Sequence, residues 1–437
     1  MISKKNKIFI YQFLFGLVIF LVPSNLFFKF FESSAYVNGL LLDYLIPKLY
    51  LSDLIIFSLY GWWLFENKKS LLKKFKTSIS KLEKIVIKHK LISGLVLALF
   101  LRQFNADHNI AAYWYLFKII EIGIFGLLLL NKRKLITNTV ILTSTIFTLF
   151  FQSGVAILQF MNQSSIAGYL FLGEANLSKQ IGLAKQIING VEKILPYGTT
   201  AHPNILGGII SLYLIILIGT LVRPELKKKK YHQQPFIWGP IILSLIALGL
   251  TFSLSAWLTF IIGTILIFIK LEPKKLILGS IAILILVPFL LQFGSKFSDN
   301  PSINRRAYLN QTAINMLKNN PVWGVGLNNF TSRVEEYSPT REVVRFTQPS
   351  HNSILLVLSE FGLLGLVTIV LIKNESFKIF KKNKKQLKTN IMWGSIIVAI
   401  MTPIIVLDHY LITNQSGLLL LVIIGVLTRK FLIQPQK

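Results

Sequence analysis

The chain contains no cysteine. That excludes disulfides, thiolate nucleophiles and cysteine-ligated metal. It is also poor in acids: 18 Asp and Glu stand against 47 Lys and Arg in 437 residues, for a formal net charge of +29. No GxxxxGK[ST] loop is present to cradle a phosphate chain. No lysine-rich loop is large enough to be a nucleotide-binding domain, which argues against an ATP-driven pump. An enzyme built on this chain must receive a donor that is already activated.

What the chain has in abundance is apolar residues, 53% of the total, gathered into long runs. Runs able to cross ~30 Å of hydrocarbon recur along its length, separated by short Lys-rich patches. This reads as an all-α polytopic membrane protein, with 1–437 forming a single membrane domain. Lysines confined to short loops follow the positive-inside rule. The charge therefore reports topology and attraction to membrane lipid, and no nucleic acid partner is expected. Lys4, Lys5 and Lys7 put the N-terminus inside. No clear small-residue cleavage site follows them, so the first run is read as a retained helix.

Hydropathy and loop charge predict about twelve transmembrane helices with both termini cytoplasmic. They fall near 9–27, 49–65, 91–104, 110–130, 135–160, 204–222, 236–252, 255–269, 276–293, 353–372, 391–407 and 418–431. Two long polar segments then lie on the extracytoplasmic side, 161–203 and 294–352, the larger one just before the tenth helix. Between the second and third helices, Leu72, Phe75, Ile79 and Leu82 recur at helical spacing among lysines. This is a cationic amphipathic helix, lying on the inner membrane surface or serving as a solvated connector. Another amphipathic helix is expected around 177–194. Lys118 and Glu121 in the fourth helix stand at i,i+3 and can pair within the membrane.

Two constellations can carry chemistry. In the outer segment, Asn304-Arg305-Arg306 opens an expected helix (307–318, capped by Asn304), followed by Pro321, Gly324-Val325-Gly326, Arg333, Arg341 and Arg345. Arginine on the outer face runs against the topology rule, and its planar fork suits bidentate phosphate contacts. The bland alternative for Arg333, Arg341 and Arg345 is pairing with Glu335, Glu336 and Glu342. Arg306 has no such acid nearby in sequence. The second constellation is histidine: His351-Asn352, His202-Pro203-Asn204 and Asp408-His409 all fall at outer helix ends. A histidine at such a mouth can exchange a proton near neutral pH. These histidines lack the i,i+4 spacing of a specific metal site, so no metal is expected.

The run His351-Asn352, nine residues, then Gly362-Leu363-Leu364-Gly365 resembles the hallmark motif of the O-antigen ligase and O-antigen polymerase superfamily. Arg306 followed by Pro321 and Gly324-Val325-Gly326 resembles the segment preceding that motif, and Gly198 to Asn204 resembles a further family block. The resemblance implies a metal-independent, cofactor-free membrane glycosyltransferase of polysaccharide or lipopolysaccharide biosynthesis. Such enzymes take a glycan from an undecaprenyl (polyprenyl) diphosphate carrier at the outer face of the cytoplasmic membrane. They pass it to a hydroxyl on lipid A core, on a growing polysaccharide or on a protein. Carried onto this chain, His351 is the general base and Arg306 binds the diphosphate. Arg305, Arg341, Arg345, His202, Asn204, Asn352, Asp408 and His409 are further candidates for substrate contact. Direct displacement by an activated hydroxyl inverts the anomeric centre, as in inverting glycosidases. The chain departs from the family at Leu195 and Leu254, where arginine is often found, and at Leu366-Val367, where some ligases have small polar residues. The competing reading is a transporter or flippase of a lipid-linked sugar. It predicts broken helices at corresponding places in two halves, and no such repeat is visible.

Overall fold

A computed structural model describes residues 3–178, 182–222, 235–271, 301–345, 347–380 and 384–428. The expected ninth helix (276–293) lies outside the described residues, as do the basic stretches 227–230, 274–275 and 429–437. The helices, in chain order, are α1 (Lys4–Leu21), α2 (Leu51–Asn67), α3 (Leu71–Lys88), α4 (Lys90–Arg102), α5 (Asn109–Asn131), α6 (Asn138–Asn162), α7 (Pro203–Leu221) and α8 (Pro235–Leu250). They continue with α9 (Leu254–Leu271), α10 (Pro301–Asn319), α11 (Val334–Tyr337), α12 (Arg341–Arg345), α13 (Ser353–Phe380), α14 (Lys384–Leu407), α15 (Tyr410–Thr413) and α16 (Gln415–Thr428).

Among the described residues, four helical stretches are long and apolar enough to cross a membrane: 109–131, 138–162, 203–221 and 353–375. The stretches 236–250, 254–269, 391–407 and 415–427 are apolar but shorter. At 13 residues, α4 spans about 20 Å at ~1.5 Å per residue, short of a ~30 Å hydrocarbon layer. Among the described residues, four of the expected spans meet the length and composition of a full crossing. The main apolar core gathers α1, α2, α5 to α9, α14 and α16. Its middle is α7, which packs on α6, α8 and α9. Gly207 and Gly208 permit this close packing. A Cβ at Gly207 would meet the Thr251 hydroxyl at 2.9 Å, and one at Gly208 would collide with the Tyr410 hydroxyl.

The bundle has two chemically distinct ends, and α5 joins them. At its start, the His108 N–H donates to Asn329 Oδ1 at 2.8 Å. At its far end, Lys132 pairs with Glu66 of α2 at 2.7 Å and stands over the Tyr11 ring. The 23 residues between span about 34 Å. One end therefore carries Lys132 and the lysines that follow α2. The other carries the segment between α1 and α2, the 301–352 region and His108, His202, His351 and His409.

The polar end holds what strand there is. Two short antiparallel pairs lie between α1 and α2: Phe27–Lys29 with Lys48–Tyr50, and Tyr36–Val37 with Leu40–Leu41. A third pair, Lys185–Ile188 with Val191–Ile194, replaces the amphipathic helix expected around 177–194. Its turn is Asn189-Gly190, both with positive φ (50° and 78°). Asn-Gly flanked by β-branched residues favours a tight hairpin because its backbone twist matches that of the strands. That local signal outweighs the helical spacing of the apolar residues.

The expected intramembrane pair is a buried triad. Lys118 Nζ lies 2.6 Å from Glu121 and also 2.6 Å from Asp53 of α2, and Gln415 of α16 donates to Asp53. Charges inside a membrane bundle persist only when paired, so the triad pins α2, α5 and α16 together. Lys118→Met leaves two buried carboxylates facing each other. It is expected to cost about 3–5 kcal/mol, read as a lower unfolding temperature of the detergent-solubilised protein, with Lys118→Arg losing less.

Candidate active site

The site is organised by a break in α13. Gly362 interrupts the helix with φ 63° and ψ −167°, a backbone region open essentially to glycine alone. The break exposes backbone groups, and the loop 321–326 fills it. Val325 N–H donates to Ser359 O (2.9 Å) and Gly326 N–H to Glu360 O (3.0 Å), while Leu363 N–H donates to Pro321 O (2.8 Å) and Leu364 N–H to Val322 O (3.1 Å). Every buried backbone group freed by the break needs such a partner. The fit is tight on both sides. A Cβ at Gly362 would approach Val322 O, and one at Gly324 would approach the Glu360 carbonyl. This gives the two glycine-containing motifs one physical reason: they are the halves of a single clasp.

The clasp sets the register of two elements that run side by side in the same direction, α10 and the first part of α13, which pack against each other. Ser350 Oγ donates to Asn310 Oδ1 at 2.8 Å between them. Arg305 and Arg306, on α10, are thereby held beside the mouth of α13. The helix begins at Pro301, so Asn304 lies inside it and does not cap it. Proline suits a helix start, where its missing N–H costs nothing.

His351 stands at that mouth with its side chain 14% exposed, and its Nδ1 faces Asp408 Oδ1 at 3.7 Å. A movement of under ~1 Å brings the two to hydrogen-bond distance. Asp408 sits between α14 and α15, buried and densely bonded. Ser255 Oγ donates to Oδ2 at 2.5 Å and Asn204 Nδ2 to Oδ1 at 3.1 Å. Its backbone carbonyl accepts from Ser353 Oγ at 2.9 Å. The His409 ring lies edge-on to His351 with centroids 4.9 Å apart. Arg306 reaches in from α10 and donates to Leu407 O at 3.4 Å.

The electrostatics follow from burial and neighbours. Burial pushes the His351 imidazole below its ordinary value of 6.5, with the Arg306 and Arg305 charges adding to the effect and Asp408 opposing it. His409 is pushed well down by burial and by His351. Burial alone would raise the Asp408 carboxyl, but His351, Arg306 and the Ser255 hydroxyl hold it below its ordinary value. At neutral pH the cluster is two neutral imidazoles, one oriented carboxylate and the guanidinium of Arg306. A neutral imidazole backed by a carboxylate can accept a proton, and a half-buried guanidinium can bind an anion.

Not every candidate from the sequence converges here. His351, Asp408, His409, Asn204, Arg306 and Arg305 do. Asn204 serves the site by holding Asp408. His202 joins them at the rim: its Nδ1 accepts from Asn204 N–H at 3.1 Å, capping α7, and burial, opposed by Asp408 and aided by the nearby His351 and Arg306, lowers its imidazole to about 4. Asn352 Oδ1 accepts from the N–H groups of Ile354 and Leu355, each at 3.0 Å, and is committed to starting α13. Arg341 and Arg345 are exposed at the ends of α12. Arg333 is paired with Asp107 (2.5 Å) and Glu336, which decides its role in favour of the surface ion pair. Ser255 and Ser353 went unrecognised in the sequence. Ser255 follows Leu254, one of the positions where the family often has arginine, so that turn does reach the site. Among the described residues, no group of three His, Asp or Glu stands in metal-holding geometry.

Comparison with known proteins bears on this region directly. No curated protein matches the chain. A family model described as O-antigen ligase matches residues 239–370. The match takes in Ser255, Arg306, both halves of the clasp and His351. Over this segment, which supplies Ser255, Arg305, Arg306 and His351 to the site, the chain is similar to the O-antigen ligase family.

Proposed function

We propose that this protein transfers a glycan from a polyprenyl diphosphate carrier to an acceptor hydroxyl at the outer face of the cytoplasmic membrane. The observation that carries this reading is the meeting of His351, Asp408 and Arg306 at one mouth of an apolar helix. His351 Nδ1 faces Asp408, which leaves Nε2, beside Gln348, for the acceptor hydroxyl. That nitrogen takes the hydroxyl proton as the oxygen attacks the anomeric carbon. The bond from the anomeric carbon to the diphosphate oxygen breaks, and the carrier leaves with the electron pair. Negative charge then grows on phosphate oxygens, and the preorganised guanidinium of Arg306 meets it, with Arg305 alongside. In this reading no metal or cofactor takes part. The membrane end bearing the lysines faces the cytoplasm and the histidine end faces outward. The acceptor is a glycan, a lipid A core or a protein.

The test is transfer of a radiolabelled glycan from polyprenyl diphosphate by the purified protein. Arg306→Ala is expected to lower the rate by about 10²–10³-fold, the usual cost of one charge-stabilising donor. Arg306→Lys should recover only part of it, because lysine lacks the planar fork. Undiminished transfer by Arg306→Ala would sink the assignment. Movement of the lipid-linked sugar across vesicles without any transfer would favour the flippase reading instead.

A further inference from the structure

We propose that α3 is a docking surface for an anionic lipid bilayer, lying flat against the membrane at the end opposite His351. In this 18-residue helix no residue is buried, so neither face is covered by the described residues. Leu72, Phe75, Ile79, Leu82 and Val86 form one stripe, with Leu72 77% and Phe75 64% exposed. Lys73, Lys76, Lys81, Lys84 and Lys88 occupy the other side, and Glu83 is the one acid in the helix. An apolar stripe bordered by cations is the pattern that seats a helix at the headgroup boundary of a charged leaflet. Near a membrane surface, each such cation adds to the attraction to anionic lipid.

The tertiary structure adds what the sequence left open between a membrane helix and a solvated connector. Both ends of α3 are tied to the same end of the bundle. Its start follows α2 directly, at the level of the Glu66–Lys132 pair, and Lys74 donates to Asn67 at the end of α2. Its end is tied at His89, whose Nδ1 lies 3.7 Å from Glu375, where the apolar stretch 353–375 finishes. A helix of about 27 Å with both ends at one level runs along that end and not away from it. The helices flanking it, α2 and α4, expose Leu64, Phe65, Leu91, Leu97 and Leu101. The apolar stripe thus adjoins further exposed apolar surface on both flanking helices. Charge complementarity then selects the occupant: a surface of acidic phospholipid.

The absence of cysteine makes the test clean, since a single introduced thiol is the only one to label. Ile79→Cys on the stripe and Thr77→Cys on the cationic side would each carry an environment-sensitive fluorophore in the full-length protein. Each is placed in nanodiscs of phosphatidylcholine, with or without phosphatidylglycerol. In the acidic discs the Ile79 probe should be quenched by lipid-borne nitroxide and be shielded severalfold from aqueous iodide relative to the Thr77 probe. That shielding should fall in phosphatidylcholine alone and when Lys73, Lys76, Lys81 and Lys84 are replaced together by glutamine. Equal iodide quenching of the two probes in acidic discs would overturn the proposal and point to a solvated connector. Equal shielding of Ile79 in both lipids would overturn the selectivity for acidic lipid.

Discussion

Replacing His351 by alanine should reduce glycan transfer by about 10²–10⁴-fold, the range that general acid–base groups contribute. Binding of the lipid-linked donor should change little, because Arg306 and the surrounding helices remain. The acid limb of the pH–rate profile separates a proton acceptor from a merely structural histidine. Burial favours the neutral imidazole, so the wild-type rate should hold to a pH below the ordinary 6.5 and then fall as His351 takes a proton and can no longer accept one. Asp408→Asn removes the group that raises the His351 value, so this limb should move to still lower pH. The plateau rate should fall as well, because a weaker and less firmly oriented base accepts the proton less well. His351→Gln keeps the polarity and should be as inactive as alanine. A profile in His351→Ala with the wild-type limb intact would remove this residue from the proton transfer.

Gly362→Ala is expected to be the most damaging change distant from the chemistry. Alanine at φ 63° and ψ −167° costs about 1–3 kcal/mol in backbone strain. Its Cβ also points at Val322 O and Gly324 N, and making room costs about 1–3 kcal/mol more. The clasp must then open, releasing four backbone hydrogen bonds in a buried setting. A loss of stability near ~4 kcal/mol should show as a drop in unfolding temperature. Transfer should fall further than that loss explains, because α10 slides relative to α13 and carries Arg306 away from His351. Gly324→Ala attacks the other half and should give the same phenotype. Combining the two should add little, since either one opens the same contact. Strictly additive losses would contradict the clasp.

Much of this protein is legible from residue order. The apolar runs fixed the helices at 110–130, 135–160 and 204–222 to within a few residues, because the length of a membrane helix is set by the bilayer and not by its neighbours. The lysine loops gave the two ends. His351, Arg306 and the helix-end position of Asp408 were all in view. The hairpin at 185–194 was also written locally, in Asn189-Gly190, but a helical reading of the apolar spacing obscured it.

The sequence by itself determined that the chain is helical and apolar, that it is free of thiols, and that it carries histidines and arginines at helix ends. These are properties of composition and of short spacing, and they need no partner. Only the tertiary structure decided which groups work together. Asp408 reaches His351 across 57 positions of chain, the Lys118 pair acquires Asp53 from another helix, and Arg333 is taken out of the anion site by Asp107. It also showed that Gly324 and Gly362 answer each other's missing side chains. Such pairings depend on where distant backbones approach. That is set by packing volume and by the demand that buried polar groups be satisfied, and neither is written in any single stretch.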